Sequence, residues 1–198
     1  MSEKLTLKRL SGAELPGLLA ELARLRITVF REFPYLYDGN FDYEATYLKT
    51  YGTADDSIII LASDGDKIVG ASTGLPLDQE EHAFQRPFIE AGFDPAGIFY
   101  FGESIILPEY RGMGTGHRFF DEREAHARAL GRFQYTTFCS VDRPADHPMC
   151  PLDYRPLDAF WSKRGYQPHP SMKIYYPWKD IGDNQETEKP LTVWMKEW

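Results

Sequence analysis

The chain has 198 residues, 42% hydrophobic and 15% aromatic, which is enough for a substantial core and too apolar for a disordered segment. Its net charge of −8 argues against nonspecific nucleic-acid binding, which rests on neutralising phosphates, and favours cationic or neutral partners. There is no apolar run of about 18 residues, no signal-peptide core at the start, and no metal-ligand spacing around Cys139 and Cys150, so the expectation is a cytoplasmic protein without a metal.

Leu5 and Leu7 alternate with polar residues, which predicts a strand over 3–9. Leu15, Leu18, Leu19, Leu22, Leu25, Val29 and Phe30 then recur at helical spacing over 13–33 and stop at Pro34. An aromatic loop follows over 35–40, then a short helix over 43–51. Ile58 to Leu61 read as a buried strand within 57–63, and Asp64-Gly65-Asp66 turns it into a returning strand over 67–75. Residues 76–95 form a long connection with a helix inside 79–91, and His82, Phe84, Gln85 and Phe88 suit it to a lid or a dimer contact. The β-formers from Ile98 to Leu107 predict one strand closed by Pro108. A helix over 119–130 stops at Gly131. A strand over 134–141, a short helix over 158–164 and closing strands over 171–176 and 191–198 complete the chain. The run Leu191 to Met195 has the character of a sheet edge able to pair in a homodimer.

Arg111-Gly112-Met113-Gly114-Thr115-Gly116 falls where a strand turns into a helix. The first N–H groups of a helix lack intrahelical partners and sit at its positive end, and glycines let a ligand come close, so the turn suits a phosphate or pyrophosphate. A Walker loop is excluded because His117 and Arg118 follow Gly116. A dinucleotide fingerprint starting at Gly112 would need glycine at position 117, which is His117.

The remaining pattern, Arg-x-x-Gly-x-Gly directly after Leu107-Pro108-Glu109-Tyr110, resembles the acyl-CoA pyrophosphate loop of the GCN5-related N-acetyltransferases, the GNAT family. Phe160-Trp161-Ser162-Lys163-Arg164-Gly165-Tyr166 resembles the late helix of that family, and the order of elements is similar over nearly the whole chain. The resemblance implies a single α/β (α+β) domain with a mixed, mostly antiparallel central sheet, helices on both faces and splayed central strands. It also implies transfer of an acetyl group from acetyl-CoA to a primary amine in a ternary complex, the acceptor being a small molecule or a peptide. By the same resemblance, Arg111, Gly112, Met113, Gly114, Thr115, Gly116 and His117 hold the pyrophosphate. The backbone of Ile105, Ile106 and Leu107 pairs with pantetheine, and an N–H near Ile105 or Ile106 polarises the thioester carbonyl.

Glu103 is the only charged residue in an apolar strand, and burial of an unpaired carboxylate raises its pKa into the range useful for a base. It is the candidate catalytic residue; a carboxylate paired with an arginine is the other reading, and Asp142 is a weaker candidate. Where the family commonly has a tyrosine four residues before the late glycine, this chain has Trp161, whose indole cannot protonate a thiolate. Either Tyr154 or Tyr166 serves instead, or the thiolate leaves unprotonated, or the protein is not an acetyltransferase of the usual type, and no acid is assigned. Lys163 and Arg164 are expected to meet CoA phosphates or solvent. Phe33, Tyr35 and Tyr37 are the candidate acceptor-binding residues, since aromatic walls suit an amine. Cys139 reads as a small buried hydrophobe. A silent family member that binds acyl-CoA or another ligand as a sensor is the second reading, kept open by Trp161.

Overall fold

The computed structural model describes residues 5–10 and 14–198; positions 3, 4 and 13 of the expected first strand and helix lie outside them. The elements in chain order are β1 (Thr6–Leu10), α1 (Leu15–Phe30), α2 (Phe41–Thr53), β2 (Ile58–Asp64), β3 (Lys67–Pro76), α3 (His82–Glu90), β4 (Ile98–Tyr100), β5 (Ser104–Ile106), α4 (Thr115–Leu130), β6 (Tyr135–Val141), α5 (Asp158–Lys163), β7 (Gln167–Trp178) and β8 (Thr187–Glu197). The sheet runs β1-β2-β3-β4-β6-β8-β7, with β5 beside β3, and every pairing is antiparallel except β4 with β6.

Alternation along β2 builds two cores. Ile59 and Leu61 join Leu22 and Leu25 of α1, Leu48 and Tyr51 of α2, and Phe84 and Phe88 of α3. Ile58, Ile60 and Ala62 face the other way, onto Phe119, Phe120 and Ala127 of α4, with Phe160 and Trp161 of α5 beside them. Apolar residues on both faces demand helices on both faces, so the sheet is a buried middle layer.

Two expectations are corrected. The single strand over 98–107 is broken. Tyr100 pairs with Leu75 and Ser104 with Ser72, so three residues (101–103) stand against two (73 and 74), a bulge. At the break, the Phe101 N–H turns to Thr137 O at 2.8 Å while Gly102 N–H turns to Thr73 O at 3.1 Å. β4 therefore stays with β6 and β5 stays with β3, which opens a splay between β5 and β6. The second correction concerns Leu191 to Met195. They lie in β8, which is paired on both sides by β6 and β7, so that run offers no edge to a second copy; the outer strands are β1 and β7.

Residues 76–95 hold a 3-10 turn (Leu77–Gln79) and α3, shorter than the predicted helix. Phe84 packs against Tyr100 and Tyr176, centroids 5.5 and 5.0 Å away, which pins α3 over the end of the sheet.

Candidate active site

The glycine turn stands directly after β5, at the mouth of the splay. Gly112 and Gly114 have φ of +76° and +80°, and a Cβ at either would meet no atom within 4 Å, so the turn faces open space. The first intrahelical bond of α4 runs from Arg118 N–H to Gly114 O at 3.3 Å. The N–H groups of Thr115, Gly116 and His117 therefore precede the ladder, and no side chain caps them. Three free donors at the positive end of a helix, behind glycines with room before them, fit a pyrophosphate. Phe160 of α5 closes one side, against Gly116 and the His117 ring.

Several predicted contacts take a different form here. The Thr115 side chain is buried, so its contribution is the backbone N–H. Arg111 is tethered: its Nε donates to Ile106 O at 3.0 Å, and it pairs with Glu32 at 2.7 Å. Met113 is exposed beside the turn. Arg164 is spent on Asp121 and Glu124 rather than left for a phosphate. In β5, Glu103 O accepts from Thr73 N–H and Leu107 N–H donates to Val69 O, so alternation turns the backbone of Ile105 and Leu107 toward β3. Ile106 turns its backbone toward the splay and is the one of the three so presented.

On the opposite side of the break lies a cavity of about 670 Å³ whose walls include Arg26, Tyr35, Tyr37, Glu44, Tyr47 and Glu103. Two of the three predicted acceptor residues, Tyr35 and Tyr37, line it, together with Glu103. Phe33 does not; it packs against Tyr154 and His147, at 4.7 and 5.9 Å between centroids. The backbone turns there because Arg143 holds the carbonyls of Pro34 and Tyr35, both at 2.8 Å, and is itself anchored on Asp180.

Glu103 is buried as predicted but not unpaired. Arg26 makes ion pairs with both Glu103 and Glu44, and its guanidinium lies 4.2 Å from the Tyr47 ring centroid. Burial alone lowers the Arg26 pKa, but Glu103, Tyr47 and Glu44 hold it well above its ordinary value, so it stays charged. Beyond the Arg26 ion pair at Oε2, Glu103 receives no well-aligned hydrogen bond among the described residues, which leaves it accepting capacity. Asp142, the weaker candidate, is tied to Lys173 and Thr192.

Of the two candidate acids, Tyr154 packs edge-on against Phe33, and burial pushes its pKa up. The Tyr166 hydroxyl is buried on Thr136 and Glu124, with burial pushing its pKa up. Trp161 packs on Phe138 and Trp194. Cys139 lines the cavity, and burial pushes its thiol up, away from nucleophilic use.

Sequence reading missed Arg26, Glu44, Tyr47, Tyr51 and Glu80. A signal was present: Arg26 is a lone charge on the apolar stripe of α1, and Tyr43, Tyr47 and Tyr51 fall four apart on one face of α2. Tyr47 and Tyr51 share a hydrogen bond of 2.9 Å, and Tyr51 donates to Glu80 Oε2 at 3.2 Å. Burial pushes the Glu80 carboxyl up from 4.5 to about 7. A carboxyl raised in the folded state lends its full stability below the unfolded value and loses it as pH rises through the folded one. Glu80→Gln should therefore match the wild type at about pH 4 and exceed it by roughly 3 kcal/mol at about pH 8. Urea titrations at the two pH values check this.

The described residues contain no group of side chains placed to hold a metal ion and no helix long and apolar enough to cross a membrane. Fold and site together define a mixed α/β protein with an uncapped, glycine-rich helix start after a split in its sheet. Residues 22–152, well over half of the chain, match the model of the Acetyltransferase (GNAT) family, and the chain belongs to that family. No curated protein matches it. Among solved structures it is similar to a ribosomal-protein-alanine N-acetyltransferase from Brucella melitensis, at 14% identity over 98% of this chain and 100% of that one, TM-score 0.62. A putative acetyltransferase from Salmonella typhimurium with its cofactor acetyl-CoA is similar at 10% identity over 98% and 94%, TM-score 0.60. A Drosophila melanogaster polyamine N-acetyltransferase that forms N-acetylagmatine is similar at 13% identity over 98% and 100%, TM-score 0.60. Identities this low establish the fold.

Proposed function

We propose that the protein is an N-acetyltransferase that moves an acetyl group from acetyl-CoA to a small cationic primary amine in a ternary complex. The observation that carries this reading is one strand break with an open anion site on one side and an acidic, tyrosine-lined cavity on the other. Asp38, Glu44, Glu103 and Glu186 line the cavity against Arg26 and Lys179, an excess of negative charge that suits a cation. Family membership and the acetyl-CoA and agmatine chemistry of similar structures support the same assignment.

In this reading the α4 N-terminus grips the donor pyrophosphate and the Ile106 backbone lines up its arm. The donor supplies an activated acetyl thioester: the amine nitrogen forms the C–N bond, the C–S bond breaks, and CoA leaves as thiolate. Glu103 accepts a hydrogen bond from the entering ammonium and holds it at the break. Its charge is already matched by Arg26, so we assign it orientation rather than removal of the proton. Trp161, where the family commonly has an acid, favours the second reading, a silent acyl-CoA-binding protein.

The test is calorimetric titration with acetyl-CoA and with CoA, followed by release of CoA thiol in the presence of agmatine. Micromolar acetyl-CoA binding with amine-dependent thiol release is the expected result. Binding without release from any amine would favour the silent reading, and no binding would reject both.

A further inference from the structure

We propose that Tyr47, Tyr51 and Glu80 form a proton relay that carries the ammonium proton out of the acceptor cavity to a carboxylate behind its wall. The inference rests on the acetyltransferase reading above and adds the destination of the proton.

The direction of the chain follows from its hydrogen bonds. A tyrosine hydroxyl has one proton, and Tyr51 gives its proton to Glu80 Oε2 at 3.2 Å. The 2.9 Å contact between Tyr47 and Tyr51 must then be donated by Tyr47. Tyr47 is one of the residues that line the cavity, and in the relay its oxygen, having donated its proton to Tyr51, keeps a lone pair for the amine. A cationic N–H is the group that oxygen awaits.

Gly102 shows that the chain belongs to the reacting region. A Cβ at this position would collide with the Tyr51 hydroxyl and meet Thr73 Oγ1 at 2.7 Å. The phenol therefore occupies the space a side chain would fill at the strand break, next to Glu103. Any other residue at 102 would push the middle of the relay aside.

The transfer balances as a concerted shift. The ammonium gives a proton to Tyr47 Oη, the Tyr47 proton passes to Tyr51 Oη, and the Tyr51 proton passes to Glu80 Oε2. The products are a neutral amine, two neutral phenols and a neutral carboxylic acid. Burial pushes both phenols well above their ordinary pKa, so neither holds a phenolate and both act as conduits. Glu80 is the end of the line. The groups around it are Tyr47 and Tyr51 of α2, Tyr100 of β4, Cys139 of β6, Glu103 at the break and Glu81 next in the chain. Among them only Glu81 and Glu103 carry charge, both negative, and burial outweighs either in setting the Glu80 carboxyl near pH 7. A base poised there takes a proton at neutral pH and returns it to solvent or to the leaving thiolate.

The experiment is the pH dependence of kcat/KM for agmatine in the wild type, Glu80→Gln, Tyr51→Phe, Tyr47→Phe, the Tyr51→Phe/Glu80→Gln double variant, and Glu103→Gln. The wild type should show an acid limb near pH 7. Glu80→Gln and Tyr51→Phe should each lose this limb and about 10²-fold in rate, with acetyl-CoA affinity unchanged and the double variant no worse than either single. Glu103→Gln should keep the limb and raise KM. A limb that survives in Glu80→Gln and disappears in Glu103→Gln would overturn the relay.

A second measurement decides the matter if agmatine is not turned over, an outcome that tells against agmatine and not against the relay. In the unliganded protein a buried carboxyl infrared band should grow in as pH falls through about 7, vanish in Glu80→Gln and shift in Tyr51→Phe. No such band, or one indifferent to Tyr51, overturns the proposal. Failure of acetyl-CoA to bind would reject the acetyltransferase reading and leave this result standing by itself.

Discussion

Replacing Arg26 with methionine is expected to cost about 3–5 kcal/mol of stability at about pH 8. Arg26 is the single cation between Glu44 and Glu103, both almost wholly buried. Methionine keeps most of the stem but gives up the guanidinium's contacts with the Phe30 and Tyr47 rings, and the larger loss comes from two carboxylates left without compensation. An uncompensated buried charge costs stability only while it is ionised, so the loss should shrink as pH falls. The triple variant that also carries Glu44→Gln and Glu103→Gln leaves no charge in this cluster of three and should recover much of the loss even at about pH 8. Chemical denaturation across this pH range reads the outcome. A cost independent of pH would mean that Arg26 matters through packing alone.

Gly114→Asp is expected to abolish acetyl-CoA binding while the chain still folds. The Cβ would point into open space, so no clash opposes it, and the left-handed backbone costs about 1 kcal/mol in a residue that tolerates this conformation. The carboxylate would stand at the free N–H groups of Thr115, Gly116 and His117, where it cancels the positive helix end and repels the pyrophosphate. Gly114→Ala separates the causes: it has at least as much backbone strain and no charge, and should weaken binding far less. Calorimetric titration with acetyl-CoA measures both. Wild-type affinity in Gly114→Asp would place the pyrophosphate elsewhere.

What the chain reveals by itself is whatever depends on neighbours in sequence. The helical spacing of Leu22 and Leu25, the alternation of Ile58 to Leu61, and the glycines between a strand and α4 are local patterns, and each element stands where those patterns put it. The glycine turn before α4 was legible for the same reason, since a helix N-terminus and its glycines are one continuous stretch, and the anion site proposed there rests on it. Glu103 was legible as a lone charge in an apolar run, and pairing with an arginine was its other reading, though which arginine was not.

Tertiary structure decided everything that depends on which strand lies beside which. The run over 98–107 has the composition of one strand; its bulge exists because β3 and β6 compete for it. β8 is an inner strand because β7 returns along it, a fact about topology that no residue of β8 carries. Phe33 and Tyr35 are two residues apart and aromatic alike, yet Arg143, more than a hundred positions away, holds the loop so that only Tyr35 reaches the cavity. The Arg26 pairs and the Tyr47–Tyr51–Glu80 chain likewise join α1, α2, the end of β3 and the strand break. Contacts between segments distant in sequence have no period to read, because the sheet chooses neighbours by burying the largest shared apolar surface. The sequence determined most of the elements and the glycine turn; the packing of those elements determined the cavity proposed to receive the amine.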